Sequence, residues 1–300
     1  MHKSVLLDEC LEYLNLNEKS VIVDMTLGYG GHSSNVLKRI KKGFLFAFDQ
    51  DDDAIKFSDE RLKKIGNNYK IIKSNFSNIK DYVNSADGIL FDLGVSSPQL
   101  DTKERGFSYH KDAILDMRMD KSNSLTAKRV VNEYSFNDLV RIFKNYGEEK
   151  YAVNIARKIE EVRKNKPIET TLELVDIIQN SVPFKYSREK HPARKVFQAI
   201  RIEVNNELEV FEKALRDSLD IINVGGRICV ITFHSLEDKI CKRVFKQVSE
   251  IDPVLKKMPV IPEGKMPNYK IIAKVLPSES EIEENKRSRS ATLRVIEKIK

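Results

Sequence analysis

The fold of this chain is decided by the stretch Val21-Ile-Val-Asp24-Met-Thr-Leu-Gly28-Tyr-Gly30-Gly31-His32-Ser33. A short apolar run ends in an acidic residue, and a glycine-rich segment then leads into residues with helical character. Glycines at such a point let the backbone turn tightly and approach a ligand without an intervening Cβ. The stretch therefore predicts a strand, a ligand-binding turn and a helix in direct succession.

Further apolar runs on both sides of this stretch predict the rest of a buried sheet. The predicted strands are 21–24, 44–49, 69–72, 88–92, 227–233, 270–276 and 291–296. Helical spacing of apolar residues marks 33–41, 52–65, 138–143, 152–162, 171–181, 195–215 and 236–249. We expect Val224–Gly226 to close a helix and the polar stretch 278–290 to be a mobile loop.

Strands that alternate with helices indicate an α/β, doubly wound sheet of the Rossmann-like type. The strand signal nearly vanishes between about 124 and 215, so we interpret this block as an inserted all-helical domain. Without it, about 200 residues remain, which is a normal size for one α/β domain. The predicted boundaries are 1–104 and 208–300 for the discontinuous sheet domain, and 105–207 for the insertion.

Composition excludes several classes of protein. The chain has 300 residues and no apolar run long enough for a membrane span, and its N-terminus lacks the apolar core of a secretion signal. Cys10, Cys229 and Cys241 are far apart, which argues against a disulfide framework or a cysteine-built zinc site and favours the cytoplasm. The five histidines show no H-x-x-x-H spacing, so we expect no metal site.

Positive charge is concentrated in the middle of the chain. Positions 101–200 contain 20 Lys and Arg against 15 Asp and Glu, which is +5 of the overall +7. The densest basic stretch is 184–195, and its candidate phosphate-contacting residues are Lys185, Arg188, Lys190, Arg194 and Lys195. Such a stretch is either a surface that contacts phosphates or an ordinary solvated loop at the start of a helix.

The glycine turn has the features of a nucleoside-cofactor site. Asp49 ends the second predicted strand, 21 residues after Gly28, where a carboxylate can accept hydrogen bonds from ribose hydroxyls. Dinucleotides and S-adenosylmethionine both use this geometry. The dinucleotide pattern requires a third glycine where Ser33 stands, and His32 crowds the turn, so S-adenosylmethionine fits better. An ordinary tight turn remains the alternative.

Two further strand ends point to the same crevice. Asn75 and Phe76 follow the third strand, where an adenine would lie, although Phe76 by itself is equally a core residue. Asp92 ends the fourth strand and begins the segment Asp92-Leu-Gly-Val-Ser-Ser-Pro-Gln-Leu-Asp101. A plain β-turn is the structural alternative for this segment.

Methylation of an exocyclic amine would give the residues of that segment a definite role. The amine lone pair is delocalised into the ring, so a hydrogen-bond acceptor is needed to favour the nucleophilic form. Asp92 and the Ser96 hydroxyl are candidate acceptors, and Pro98 is a candidate flat platform for the base. His234 follows the fifth strand and is a further candidate for contact with a ligand in the crevice. Its alternative is a capping turn in which Ser235 and Asp238 form the capping box.

With these motifs in place, the sequence resembles the bacterial ribosomal RNA small subunit methyltransferase H family. The resemblance rests on Gly30-Gly31-His32-Ser33, Asp92–Asp101, Arg105-Gly-Phe-Ser108, His191-Pro-Ala-Arg194, Phe197–Leu208, Thr232–Asp238 and Arg287-Ser-Arg-Ser-Ala291. It implies a class I methyltransferase fold with a helical insertion that recognises the substrate. It also implies methyl transfer from S-adenosylmethionine to N4 of a cytidine in the decoding region of 16S rRNA, within the 30S subunit.

The resemblance further assigns a set of cofactor-binding positions. These are Gly30, Gly31, His32, Asp49, Phe76, Asp92 and Gln99. The usual signature of amino-methyltransferases, Ser/Asp/Asn-Pro-Pro-aromatic, is replaced by Ser97-Pro98-Gln99-Leu100, which leaves the catalytic acceptor open. A nicotinamide-dependent oxidoreductase, a non-catalytic RNA-binding factor and a small-molecule methyltransferase are the alternative functions. The sequence leaves monomer and dimer equally open.

Overall fold

The computed structural model describes residues 4–95, 102–189, 191–251, 264 and 266–300. Its strands are β1 Val21–Asp24, β2 Phe44–Asp49, β3 Tyr69–Lys73, β4 Ala86–Asp92, β5 Ile222–Thr232, β6 Tyr269–Val275 and β7 Thr292–Lys298. Its helices are α1 Leu7–Tyr13, α2 Gly31–Arg39, α3 Asp52–Leu62, α4 Ala127–Glu133, α5 Phe136–Asn145, α6 Ala152–Arg163, α7 Thr171–Gln179, α8 Phe184–Glu189, α9 Ala193–Asn205, α10 Glu207–Ile221, α11 Ser235–Ser249 and α12 Glu279–Glu284. Short 3-10 helices span Phe76–Asp81, Lys103–Arg105 and Lys286–Ser290.

The chain divides into two compact units. The sheet unit comprises Met1–Gly94 and Leu208–Lys300, and the helical unit comprises Val95–Glu207. The second unit thus begins at Val95 rather than at the expected position 105, because Val95 packs against the core of the helices. None of the helices in the described ranges has the length and apolar character needed to span a lipid bilayer.

Seven strands of the described residues form one sheet in the order β3-β2-β1-β4-β5-β7-β6. The first five strands are parallel, whereas β7 runs antiparallel to both β5 and β6. The chain builds outward from β1 through β2 and β3, then crosses to β4 on the other side of β1. This arrangement confirms the predicted doubly wound fold. It also places a topological switch point, where such sheets bind ligands, at the carboxyl ends of β1 and β4.

Alternating residues of the central strands enter two separate cores, one on each face of the sheet. On β4, Leu90 packs with α1 and α2, whereas Ile89 and Phe91 pack with α10 and α11. Both faces of this central strand are therefore covered by helices. This double burial explains why the strand is a continuous apolar run in the sequence rather than an alternating pattern.

The helical unit has its own apolar core, formed by one face of each helix from α4 to α7 and by α9. Several of its helices begin at the hydroxyl residues that favour helix starts. Thr126 and Ser135 each accept a hydrogen bond from the backbone of the first turn. Thr170 and Glu173 form a full capping box at the start of α7.

The continuous helix expected over 195–215 is wrong. The structure ends α9 at Asn205 and starts α10 at Glu207, because Asn206 has a left-handed backbone with φ of 49°. Asparagine adopts this conformation more readily than most residues and can end a helix as glycine does. The apolar periodicity continues through the break, so the pattern alone did not reveal it.

Two other expectations are corrected near the end of the chain. Val224–Gly226 does not close a helix, because α10 ends at Ile221 and β5 begins at Ile222; the sheet register shifts over these residues instead. The stretch 278–290 is not an irregular loop. Ser278 caps α12 by accepting a hydrogen bond from the Glu281 amide, and the Glu281 carboxylate accepts one from the Leu6 amide at 2.8 Å.

Candidate functional site

Three carboxylates end neighbouring strands at the switch point: Asp24 on β1, Asp49 on β2 and Asp92 on β4. We call them the carboxylate cluster. Asp24 is buried and accepts hydrogen bonds from the Ser33 hydroxyl at 2.6 Å and the Thr26 amide at 3.1 Å. Burial raises the pKa of Asp24 although these bonds oppose the shift. Asp24 therefore stabilises the turn that follows β1 through these hydrogen bonds.

Thr26 connects Asp24 to Asp92. Its amide donates to Asp24, and its hydroxyl accepts a hydrogen bond from the Asp92 amide at 2.7 Å. Sequence reasoning gave no role to Thr26 or Asp24. Asp24 could have been found, because it ends its strand in the same way as Asp49 and Asp92 do. Nothing in the sequence pattern marks Thr26, whose contact spans 66 positions of the chain.

The glycine turn is held by α3 as well as by its own backbone. The Ser58 hydroxyl donates to the Gly28 carbonyl at 2.7 Å, and Gly30 has a left-handed φ of 70° at the start of α2. A Cβ on Gly30 would lie 3.1 Å from the Ser58 oxygen, and one on Gly31 would lie 1.9 Å from the Ser4 oxygen. Both glycines therefore face a serine side chain that would have to move to admit a Cβ. Any ligand contact they make must come from their backbone atoms.

Gly28 differs from these two glycines. A Cβ on Gly28 would meet only the Thr26 carbonyl oxygen, at 3.9 Å. Its amide donates to Asp49 at 2.8 Å, which ties the turn to the end of β2. The turn therefore has space for a neighbouring group at Gly28, whereas the sequence motif had predicted ligand contacts at Gly30 and Gly31.

Asp49 is placed where an acceptor for ribose hydroxyls is expected. Each of its carboxylate oxygens accepts one backbone hydrogen bond, from Gly28 at 2.8 Å and from Asp51 at 2.9 Å. A carboxylate oxygen has capacity for a further donor, so both remain able to accept one. Burial outweighs the backbone hydrogen bonds and raises the pKa of Asp49 to about 6. The group accordingly changes charge close to physiological pH.

His32 faces Asp92 from the first turn of α2. Its ring is buried, with Nε2 at 3.1 Å from the Val5 carbonyl oxygen and Nδ1 at 3.4 Å from Asp92 Oδ2. Burial lowers the pKa of His32, but the hydrogen bond and charge of Asp92 outweigh it, so the net shift is upward. The imidazole therefore holds one oxygen of Asp92 in place.

The second carboxylate oxygen of Asp92, Oδ1, gives the clearest indication of where a ligand would bind. Asp92 Oδ1 is buried and lacks a hydrogen-bond partner among the described residues. A buried carboxylate oxygen without a donor costs free energy, and such an atom in a strand-end crevice indicates a missing ligand. With Oδ2 fixed by His32, Oδ1 is left to accept a hydrogen bond from outside the chain.

Asn75 and Phe76 lie at the end of β3. Asn75 caps the following turn by accepting from the Ser77 amide at 2.9 Å, and its amide group donates to Gln50 at 3.2 Å. Phe76 is half-buried and meets Phe91 edge-on, with ring centroids 6.0 Å apart. Its ring packs on the core through Phe91 and keeps an exposed fraction, so a contact with an adenine stays a prediction.

His234 starts α11 together with Glu237. The Glu237 carboxylate lies 3.1 Å from His234 Nε2 and accepts from the backbone amide of Phe233 at 2.8 Å. The alternative capping box of Ser235 and Asp238 is wrong, because Asp238 pairs with Arg294 at 2.7 and 3.0 Å. The capping carboxylate is one residue earlier than the sequence pattern suggested.

The basic residues expected to contact RNA lie on α8 and α9 of the helical unit. Lys185, Arg188 and Arg194 are exposed, whereas Lys195 is half-buried and donates to the Glu148 carbonyl at 2.6 Å. Ser96, Pro98, Gln99 and Lys190 lie outside the described residues.

A buried contact holds α8 in place. The Tyr186 hydroxyl donates to the buried carboxylate of Glu149 at 2.9 Å, and burial together with this bond raises the pKa of Tyr186 to about 12. Phe184 on the same helix is 77% exposed, with the Arg188 guanidinium 5.7 Å from its ring centroid. One face of α8 is thus fixed, while the other presents a ring and two cations.

Comparison with known proteins gives a consistent result along the whole chain. The profile of the MraW methylase family matches residues 1–299. A curated relative from Exiguobacterium sibiricum, named ribosomal RNA small subunit methyltransferase H, is 49% identical over 100% of this chain and 98% of its own length.

Solved structures are also similar over the full length. An rRNA methylase from Streptococcus thermophilus aligns over 100% of this chain and 99% of its own, with 14% identity and a TM-score of 0.45. SMU.1697c from Streptococcus mutans, solved in complex with SAH, aligns over 99% of both chains, with 14% identity and a TM-score of 0.46.

Proposed function

Because the chain belongs to the MraW methylase family, we propose that it transfers a methyl group from S-adenosylmethionine to N4 of a cytidine in 16S rRNA. The target lies in the decoding region of the small ribosomal subunit. Two facts support the proposal: a relative at 49% identity carries the name of an rRNA small subunit methyltransferase, and the carboxylate cluster occupies the switch point of a doubly wound sheet.

The residues at the switch point fit such a methyl donor. Asp49 would accept hydrogen bonds from the ribose hydroxyls, the backbone of Gly28–His32 would line the amino-acid end, and Phe76 would lie beside the adenine. The donor has no phosphate, which agrees with a turn whose first helical residues, Gly31 and His32, pack against Ser4 and Val5. When bound, S-adenosylmethionine supplies an electrophilic methyl group on a sulfonium.

Asp92 Oδ1 carries the catalytic part of the proposal. The exocyclic amine of cytosine is a poor nucleophile, because its lone pair is delocalised into the ring. An acceptor that binds an amine N–H favours the nucleophilic geometry and offers a place for the proton that the reaction releases. Asp92 Oδ1 is a buried oxygen without a partner among the described residues, and His32 fixes its neighbour Oδ2. Ser96 stays a predicted second acceptor, and Pro98 a predicted platform for the base.

The helical unit and His234 would contact the RNA. Lys185, Arg188 and Arg194 are exposed cations on two consecutive helices, a pattern that suits phosphates of a folded RNA. Lys190 is a predicted member of the same set. Lys195 contributes less, since it already donates to a backbone carbonyl. Gln99 is a predicted contact to the methyl donor.

The proposal is tested with small subunits from cells that lack the protein. The subunits are incubated with the purified chain and methyl-labelled S-adenosylmethionine, and the labelled nucleoside is identified by mass spectrometry. We expect label only in N4-methylcytidine at one position of 16S rRNA, and a strongly reduced initial rate of labelling with Asp92→Asn. Label on a ring carbon, on another nucleoside or on protein contradicts the proposal.

A further inference from the structure

The helical unit contains a group of neighbouring rings, tilted relative to one another, that the proposed methyl transfer does not use. Tyr109 lies 4.3 Å from His110 and 4.9 Å from His191, measured between ring centroids. It also meets the buried ring of Phe197 edge-on at 5.8 Å. Tyr109 and His191 are half-buried and His110 is exposed. The rings therefore extend from the helical core to the surface.

The loop that carries Tyr109 and His110 is held at its base. Gly106 has a left-handed φ of 68°, and a Cβ there would lie 2.3 Å from the Ile114 carbonyl oxygen, so the two ends of the loop are in close contact. Thr171 at the start of α7 donates through its hydroxyl to the Lys111 carbonyl at 2.7 Å. The same hydroxyl accepts from the Ala113 amide at 3.0 Å. The rings are thus positioned before any partner binds.

The surroundings of these rings favour a polyanionic partner. Arg194 is exposed, and its backbone amide donates to the carbonyl of His191 at 3.1 Å in the turn that starts α9. Residues 101–200 as a whole carry a net charge of +5. A metal site is a poorer interpretation, because among the described residues His110 and His191 belong to no group of three metal-ligating side chains.

We infer that Tyr109, His110 and His191 form a stacking platform for an unpaired base of the RNA substrate; this inference rests on the proposed function. Every nucleobase has a flat π-face, and aromatic side chains beside cations are the usual means of holding unpaired nucleotides. His110 offers the exposed ring, the tilted Tyr109 ring contacts it, and Arg194 provides a positive charge at the start of the following helix. The platform gives the helical unit a preference for unpaired over duplex RNA.

The test compares two substitutions of His110 in the full-length protein. Binding of a fluorescent single-stranded RNA of mixed sequence, and of the duplex of the same sequence, is measured by anisotropy at several salt concentrations. We expect His110→Ala to weaken single-strand binding roughly tenfold, within the range for loss of one base–aromatic stack, without changing the salt slope. We expect His110→Phe to retain binding, and duplex binding to stay unchanged in both variants.

Two controls define the outcome. Tyr82→Ala removes a comparably exposed ring from the sheet unit and should leave RNA binding unchanged. Arg194→Ala should reduce the salt slope by about one, as expected for a phosphate contact. Equal losses in His110→Ala and His110→Phe, equal losses on single strand and duplex, or no single-strand binding by the wild type would each overturn the platform.

Different experimental results would contradict the stacking platform and the proposed function. If His110→Ala binds single-stranded RNA like the wild type while N4-methylcytidine still forms in small subunits, the platform is wrong and the proposed function stands. If the single-strand preference depends on the His110 ring but another nucleoside is methylated, the platform stands and the cytidine target is wrong.

Discussion

The carboxylate cluster and the basic stretch of α8 and α9 differ in how far their charged groups are exposed to solvent and paired with neighbours. Asp24 and His32 are at most 5% exposed, and each bonds to a neighbouring group of the sheet unit. Lys185 and Arg194 are exposed on helix surfaces. Charges in a buried site depend on a few fixed partners, whereas exposed charges act together and are screened by salt. Single substitutions should therefore have large, specific effects in the first region and small, additive effects in the second.

The largest effect is expected from Asp92→Ala. Removal of this acceptor should lower the methylation rate by a factor on the order of 100 to 10,000, the usual contribution of a positioned proton acceptor. Affinity for S-adenosylmethionine should change much less, because Asp49 and the glycine turn remain. Single-turnover methylation and calorimetric binding separate the two quantities. Turnover within a factor of two of wild type would remove Asp92 from the mechanism.

The next effect concerns pH and Asp49. Its pKa is raised to about 6, and only the charged form is a full acceptor for two ribose hydroxyls. Affinity for the methyl donor should therefore be constant above about pH 7 and fall towards tenfold per pH unit below pH 6. Calorimetry between pH 5 and 8 measures this dependence.

Asp49→Asn is the matched variant for that experiment. The amide cannot change charge, so its weaker affinity should not vary with pH over the same range. The stability of the protein without ligand should depend on pH in the opposite direction to the affinity for the methyl donor. A raised acid pKa stabilises the folded state at low pH, so this contribution is lost as pH rises from about 4 to 6, and the loss is absent in Asp49→Asn. A pH dependence that survives in Asp49→Asn assigns the titration to another group.

Substitution of Gly30 and of Gly225 compares a glycine that has a close neighbour with one that has open space around it. Gly30 and Gly225 both have left-handed φ values, of 70° and 80°. A Cβ on Gly30 would press on Ser58, whereas one on Gly225 would have no neighbour within 4 Å. Gly225→Ala should cost about 1 kcal/mol of unfolding free energy from backbone strain alone, and Gly30→Ala should cost more. Urea denaturation measures both, and equal costs would show that Ser58 yields freely.

The smallest effects are expected on the basic surface. Lys185→Ala should reduce the salt slope of RNA binding by about one and weaken binding equally for all sequences. Lys195→Ala should change the slope less, because the Lys195 amine already donates to the Glu148 carbonyl. Anisotropy titrations at several salt concentrations distinguish the two. A larger effect from Lys195 would mean that this contact breaks when RNA binds.

The central strands of the sheet could be predicted from the sequence, because their residues are mostly buried. The runs at 44–49 and 88–92 are continuous apolar segments that end in Asp49 and Asp92, and both became strands of the sheet. Failures occurred where a single backbone angle mattered more than periodicity. Asn206 breaks a pattern that is apolar on both sides, and Gly225 lies in a strand whose register shifts.

In the candidate site too, some features could be predicted from the sequence and others depend on tertiary contacts. The strand-end rule located Asp49 and Asp92, but the reasons for Gly30 and Gly31 lie in Ser58 and Ser4, which no local pattern connects to them. Likewise, no local pattern connects Tyr109 with His191, whose ring centroid lies 4.9 Å from that of Tyr109. Contacts between distant positions depend on how helices pack, which spacing along the chain does not encode.

The sequence by itself determined the strand–turn–helix start, the doubly wound order and the residues that end the parallel strands, because these depend on local apolar periodicity and on glycine and acidic residues at strand ends. Only the tertiary structure showed that Asp92 Oδ2 faces His32, while Oδ1 has no hydrogen-bond partner within the described ranges. Only the tertiary structure placed the ring of His191 against Tyr109. Burial and pairing are properties of the packed chain, and they set which polar atom is left to bind a ligand.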